Sequence, residues 1–176
     1  MLIINVAKIK SIPQYSEKVS IEGHILPENY GYPDLWLDGP VAFCGDMTNQ
    51  KDYLLIRGKI TAVLHLICDR CGEPFSFPIA ADFEEAYSHM ADQPDKDGQR
   101  DIHLFDREEI DISAEILKQI FLEMPMKNLC QEDCQGICPV CGVNLNLEQC
   151  CCQKQEIDPR LEKLKEFIFE GEKKGV

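Results

Sequence analysis

Ten cysteines dominate the chemistry available to this chain of 176 residues, and seven of them fall between Cys130 and Cys152. That stretch reads CQEDCQGICPVCGVNLNLEQCCC, a spacing of C-x3-C-x3-C-x2-C-x8-C-C-C. Two more cysteines, Cys68 and Cys71, form a separate C-x2-C far upstream. A C-x2-C turn offers two thiolates on one side of a tight bend, and zinc takes four such ligands in a tetrahedron. Both pairs are followed by glycine, Gly72 and Gly142, a residue free to take positive φ and curl the backbone around an ion. Cys138 and Cys141 begin one group. The short excursion after Cys141 returns Cys150 and Cys152, alternate residues that project to the same side of an extended segment. Cys68 and Cys71 need two further ligands, and Cys130 and Cys134 have no other evident use. The expectation is two zinc ions, one being the minimum. The alternative is a single site with exchanged ligands, such as Cys68, Cys71, Cys138 and Cys141. Cys151 is then a spare thiol. Cys44, alone near a strand end, reads as a small buried hydrophobe.

Competing cysteine chemistries fit less well. Disulfides persist in oxidising compartments, and nothing in the N-terminal stretch MLIINVAKIKSIPQY reads as a secretory signal. A thioredoxin-like pair would sit at a helix N-terminus, whereas CDRC lies between two strands. An iron–sulfur cluster is not excluded by spacing. All-cysteine zinc sites are closed and leave no position for a reacting water, so no enzyme is expected. The four histidines, His24, His65, His89 and His103, are scattered and read as surface or core residues rather than ligands. A nuclease would have to draw on these and on Asp82, Glu84 and Glu85. A metal-handling or redox protein is the other alternative.

The elements that must position the thiols are mostly strands. Residues 2–9 are rich in β-branched side chains, and residues 17–25 alternate polar and apolar. Residues 26–34 carry turn chemistry, and 35–45 read as a strand interrupted near Asp38-Gly39-Pro40. Residues 52–67 give the strongest β signal, with Ile60, Ala62, Leu64 and Leu66 on one parity and Gly58 expected as a bulge. This strand runs into Cys68, and 73–88 returns from Cys71, so the pair is a hairpin with two thiols at its tip. Residues 89–101 are polar, acidic and without period, a loop. Over 111–125, Ile112, Ile116, Leu117, Ile120, Phe121 and Met124 mark one helical face, with Asp111 or Ser113 to cap it and Pro125 to stop it. Pro159 starts a last short helix with a stripe at Leu161, Leu164, Phe167 and Ile168, ended by Gly171. The fold class expected is α+β. An antiparallel sheet or small open barrel with a packed helix occupies 1–127, a cysteine-rich zinc-ribbon-like module 128–157, and a short C-terminal helix and tail 158–176.

Composition narrows the partners. With 44% apolar residues the chain can bury a core, and no apolar run is long enough to cross a membrane. The default compartment is the cytoplasm. The formal net charge is −13, which repels a phosphate backbone on average and attracts Lys/Arg-rich surfaces. Residues 82–111 alone hold eleven acidic against three basic side chains. Oligomeric state is not legible.

The segments CDRCGEPF (68–75), DISAEILKQIFLEMPMKNLC (111–130), CQGICPVCGVNLNLEQCCC and IDPRLEKLKEF (157–167) resemble the YceD family, the large ribosomal RNA subunit accumulation proteins. The resemblance covers most of residues 50–170, and the first 50 match only in β character. The CPxCGxxLN segment is similar to a cysteine-rich branch typical of Gram-positive bacteria, with one departure: Cys151 makes three cysteines in a row where that branch has C-x-C. The resemblance implies a bacterial cytoplasmic protein needed for normal levels of large-subunit rRNA. Family genes are commonly found beside one for a small zinc-binding ribosomal protein. It supplies no biochemical activity. The partners implied are large-subunit components: a basic ribosomal protein, an assembly factor or an rRNA precursor.

Overall fold

A computed structural model describes residues 1–89, 102–105 and 108–152. The expected C-terminal helix from Pro159 and nearly all of the 89–101 loop lie outside the described residues. The chain divides into two compact units, Met1–Cys134 and Gln135–Val176.

The first unit begins with β1 (Ile3–Asn5) and a single helical turn, α1 (Ala7–Lys10), then β2 (Ser16–Gly23). A 3-10 turn at Pro27–Tyr30 leads to β3 (Val41–Asn49), β4 (Leu54–Ile67) and β5 (Pro74–Ser88). Two short strands, β6 (Ile102–Leu104) and β7 (Glu109–Asp111), precede α2 (Ser113–Leu122). β2 to β5 form an antiparallel meander in chain order, β6 adds to β5 in parallel, and β1 pairs with β7 in a separate two-stranded sheet. The class is α+β, with a cysteine-rich C-terminal module.

Parity along the strands explains the core. On β4, Ile60, Ala62, Leu64 and Leu66 are buried, and on the same face of β5 so are Ala81 opposite Ile60, Ile79 opposite Ala62, and Phe83 opposite Gly58. Ile116, Leu117 and Ile120 of α2 join this core with no solvent exposure. Full burial of each such side chain contributes roughly 1.5–3 kcal/mol. The N-terminal residues Leu2, Ile4, Val6 and Ile9 complete the cluster.

Several expectations are corrected. Residues 2–9 are not one strand: the chain turns into α1 after Asn5, because burying both Val6 and Ile9 suits a helical turn better than strand alternation. Gly58 is no bulge. The β3–β4 and β4–β5 registers run unbroken past it, with Gly58 opposite Gly45 on one side and Phe83 on the other. Cys44 is exposed, not buried. Val41, Phe43 and Met47 take the inward parity on β3, which turns Cys44 outward. Phe121, expected on the buried face of α2, is 54% exposed and touches Tyr32 at a ring separation of 5.5 Å. Residues 35–40 contribute only an isolated bridge, Leu37 to Leu64, and β3 instead runs on to Asn49.

The start of α2 is tied to the N-terminus. Asp111 Oδ1 accepts the Ser113 amide at 3.0 Å, and Ser113 Oγ accepts the Leu2 amide at 2.7 Å in a fully buried position. An unpartnered buried amide costs about 1–3 kcal/mol. Ser113→Ala is therefore expected to lower unfolding stability by roughly that amount, read as a lower urea midpoint at unchanged slope. No change in midpoint would show that the Leu2 amide finds another acceptor.

Candidate metal centres

The two C-x2-C turns have the same backbone geometry. In the β4–β5 hairpin the Gly72 amide donates to the Cys68 carbonyl and the Cys68 amide to the Glu73 carbonyl, both at 2.9 Å. In the C-terminal unit the Gly142 amide donates to the Cys138 carbonyl and the Cys138 amide to the Val143 carbonyl, both at 2.8 Å. Gly72 and Gly142 take φ of +74° and +75°, a conformation that carries a steric penalty for residues with a Cβ. Two identical turns thus present two sulfurs each.

In the first unit the segment after α2 closes over the hairpin tip. The Asp69 amide donates to the Asn128 carbonyl and the Asn128 amide donates back to Asp69 Oδ2, each at 2.7 Å. Arg70 Nη1 donates to the Cys134 carbonyl at 2.9 Å. These contacts hold Cys130 and Cys134 against Cys68 and Cys71. Cys68 Sγ lies 3.8 Å from Cys134 Sγ, and Cys71 Sγ lies 3.7 Å from Cys130 Sγ. The four sulfurs are all within 4.8 Å of one another. Phe75 and Leu129 pack against the cluster.

In the second unit Cys138, Cys141, Cys150 and Cys152 bring their sulfurs within the same 4.8 Å limit. The loop between Cys141 and Cys150 is braced by asparagines. Asn144 Oδ1 accepts from the Asn146 amide at 3.0 Å, Asn146 Oδ1 accepts from the Gln135 amide at 2.7 Å, and the Asn144 carbonyl takes the Leu147 and Glu148 amides. Cys151, between two members of the group, is exposed and outside it.

The donor sets fit a single ion. A disulfide requires sulfurs about 2.05 Å apart, and all ten cysteines are free thiols. Four thiolates about 2.3 Å from one ion, at the corners of a tetrahedron, would lie about 3.8 Å from each other. The 3.7 and 3.8 Å separations in the first group match that edge, and the second group falls within the same 4.8 Å limit. Each group of four cysteines could therefore hold a metal ion.

Electrostatics within each group point the same way. The Cys130 amide brings the Cys68 thiol down to about 6 against the opposing effect of burial, and the Cys71 and Arg70 amides add to it. Burial pushes Cys130 up to about 12, with the thiols of Cys68, Cys71 and Cys134 adding to the shift. In the second group the amides of Cys141 and Val140 bring Cys138 down to about 6, while the Cys141 thiol, with burial, pushes Cys152 up to about 12. One thiolate forms readily in each group, and another is held protonated by its neighbours. A bound cation supplies the countercharge that lets all four ionise.

Of the acids and histidines weighed for a nuclease, Glu85 and His103 meet, and the others make separate contacts. Arg57 pairs with Glu84 at 2.9 Å, Asp82 lies opposite Lys59 on the sheet, and Glu85 faces His103 at 3.2 Å. His65 stacks beside Trp36, His89 lies against Phe105, and His24 is exposed, its carbonyl taking the terminal amine. Sequence reasoning missed the Glu85–His103–Glu115 contacts, with His103 Nδ1 3.4 Å from Glu115. They depend on β6 pairing beside β5, which no local pattern announces.

A family model described as Large ribosomal RNA subunit accumulation protein YceD matches residues 56–168. The chain belongs to the YceD family. The matched region contains all eight cysteines of the two groups. This YceD chain is 30% identical over 147 residues to a Zea mays protein named Large ribosomal RNA subunit accumulation protein YCED homolog 1, chloroplastic, covering 67% of this chain and 50% of that one. The Arabidopsis thaliana protein of the same name is 29% identical over 154 residues, 72% of this chain and 47% of its own. An uncharacterized protein of Mycobacterium tuberculosis (strain H37Rv) is 30% identical over 116 residues, 65% of this chain and 56% of that one. This chain thus spans about half the length of the plant relatives it matches. No solved structure matches it. The names tie YceD relatives to accumulation of large-subunit rRNA, and the chloroplast homologues place the family beyond bacteria. Among the described residues of this YceD chain no helix is long and apolar enough to cross a membrane.

Proposed function

We propose that this protein is a zinc-stabilised, non-enzymatic accessory factor that supports accumulation of large-subunit rRNA by binding a basic component of the assembling subunit. The observation that carries the reading is the pair of four-sulfur groups. Cys68, Cys71, Cys130 and Cys134 would hold one zinc ion, and Cys138, Cys141, Cys150 and Cys152 a second. Four thiolates fill a tetrahedral site, so the ion would cross-link chain segments rather than activate water. A multi-iron cluster would need its thiolates spread around a larger body than four sulfurs all within 4.8 Å of one another would surround. With both sites closed, function falls to the surface, and a charge of −13 steers Lys/Arg-rich partners toward it. The compartment this implies is one where ribosomes assemble, in a bacterium the cytoplasm.

The test is capture of ribosomal components on immobilised, zinc-loaded protein at low and high salt. Retention of a basic large-subunit protein or assembly factor that weakens with salt is the expected outcome. Failure to retain any ribosomal component at low salt would sink the proposal, and cleavage of precursor rRNA by the same protein would replace it with an enzyme.

Metal binding should also depend on pH in a defined direction. The thiols of Cys68 and Cys138 ionise near 6, while others in each group stay protonated in the absence of a cation. Binding must therefore release protons, and affinity rises with pH. Zinc transfer to a chromophoric chelator should be slight at neutral pH and increase steeply as the pH falls below about 6. Transfer that is flat across this range would show that thiolates are not the ligands.

A further inference from the structure

At the far edge of the sheet, residues 36–38 continue the line of β3 alongside the end of β4. The His65 amide donates to the Trp36 carbonyl at 2.9 Å, the Asp38 amide donates to the Val63 carbonyl at 2.8 Å, and Leu37 bridges Leu64. Trp36 and His65 are thereby set opposite each other, their rings stacked at 17° with centroids 6.0 Å apart. Trp36 is nonetheless 60% exposed. It borders a groove of about 430 Å³ whose lining includes Leu26, Glu28, Trp36, Asp38 and His65. Asp38 is held by a hydrogen bond from Ser76 Oγ to its Oδ2 at 2.9 Å, which leaves Oδ1 for another donor. The groove is lined by two carboxylates and by no lysine or arginine.

We infer that this Trp36–His65 shelf, with the Asp38 and Glu28 carboxylates beside it, is a docking site for an arginine side chain of a basic protein segment. A planar guanidinium can lie on the indole face while its N–H groups reach a carboxylate. An ammonium can do only part of this. An unpaired nucleobase would also stack on Trp36, but its phosphates would meet the two carboxylates with no lysine or arginine among the lining residues to receive them. The inference rests on the reading of a basic partner and adds where on the surface that partner is held. Trp36 lies outside the residues that the family model matches.

The chain has one tryptophan, so its fluorescence reports on the shelf alone. Full-length, zinc-loaded protein would be titrated with a short Arg/Gly peptide, the same peptide with lysine for arginine, and single-stranded oligouridylate. The Arg/Gly peptide is expected to shift or quench the Trp36 emission saturably, with the lysine peptide about 3- to 10-fold weaker. By anisotropy of labelled Arg/Gly peptide, Trp36→Ala and Asp38→Asn should each weaken binding by about 3- to 10-fold. Trp36→Phe should recover part of the loss. Unchanged circular dichroism of each variant separates binding from folding. Arg/Gly binding that leaves Trp36 emission and the Trp36→Ala affinity unmoved would overturn the shelf while leaving an acidic partner surface intact. A response to oligouridylate in place of the Arg/Gly peptide, or to no probe, would overturn it as well. If the salt-dependent capture fails instead, the accessory-factor reading falls and the titration still decides the shelf.

Discussion

Removing the zinc proposed for the second cysteine group is expected to unfold residues 135–152 outright while leaving the sheet of the first unit standing. Among residues 135–152, the described part of the C-terminal unit, no side chain belongs to the hydrophobic core, and Cys138 is the buried apolar residue there, at 5% exposure. Val140 and Leu147 are exposed. A segment with so little apolar burial cannot offset the entropy of ordering its backbone, roughly 1–2 kcal/mol per residue. A structural zinc contributes about 10–16 kcal/mol to folding, comparable to the whole net stability of an ordinary domain. The first unit differs, because its core from Leu2 to Ile120 does not pass through the sulfurs. There, loss of metal should loosen the hairpin tip and the segment holding Cys130 and Cys134, and lower the melting temperature without abolishing the sheet. The check is an amide NMR spectrum of the protein before and after a strong chelator, with metal analysis alongside. Signals of Val140, Val143 and Leu145 should collapse to random-coil positions, while those of β3 to β5 keep their dispersion. Cys138→Ser should remove one zinc equivalent with the first pattern, and Cys68→Ser a separate equivalent with the second. Retained dispersion in the C-terminal unit after complete demetallation would show that something other than a metal holds it.

How far such features could be read in advance depends on how local their causes are. The C-x2-C-G turns were legible because their geometry is set within six residues. The β4–β5 hairpin was legible because its parity runs cleanly from Ile60 to Leu66 and its loop is short. By contrast, the grouping of Cys68 and Cys71 with Cys130 and Cys134, partners 59 and 66 residues apart, is reached by elimination among the cysteines, because spacing does not encode it. β7 and β6 lie within or beside an acidic, aperiodic stretch. They exist because Ile110 meets Ile4 and Ile102 meets Ala86. The far end of β3, Asp46 to Asn49, has the composition of a turn. It is held as strand by pairing on both sides and by the buried Asn49, whose Nδ2 donates to the Ile9 carbonyl at 2.9 Å. In each of these cases a long-range partner overrides local propensity.

Gly58 is where that override has its largest expected consequence. Glycine inside a strand weakens it, and replacing it with alanine would ordinarily stabilise the protein by about 0.4–1 kcal/mol through the unfolded chain. Here the sign should reverse. A Cβ on Gly58 would lie 2.5 Å from the Cys44 carbonyl oxygen, 2.7 Å from the Gly45 Cα and 2.8 Å from the Phe43 ring. The first two obstacles are backbone, and Phe43 is fully buried, so no flexible side chain can swing aside. A Cβ on Gly45 would collide in turn with the Arg57 backbone and the Gly58 Cα. The two glycines face each other in register and let β3 and β4 approach more closely than any other pair of residues could. Forcing them apart shifts the strand that carries Phe43 and Met47 into the core. The cost should reach about 3 kcal/mol or more, the upper end of overpacking effects, for Gly58→Ala, and rise again for Gly58→Val. Urea unfolding of the first unit followed by circular dichroism would measure it. A Gly58→Ala protein as stable as the original would mean that the strands have room to separate and that the glycine pair is incidental. A large loss with the zinc content unchanged would separate the stability of the sheet from that of the cysteine-rich unit.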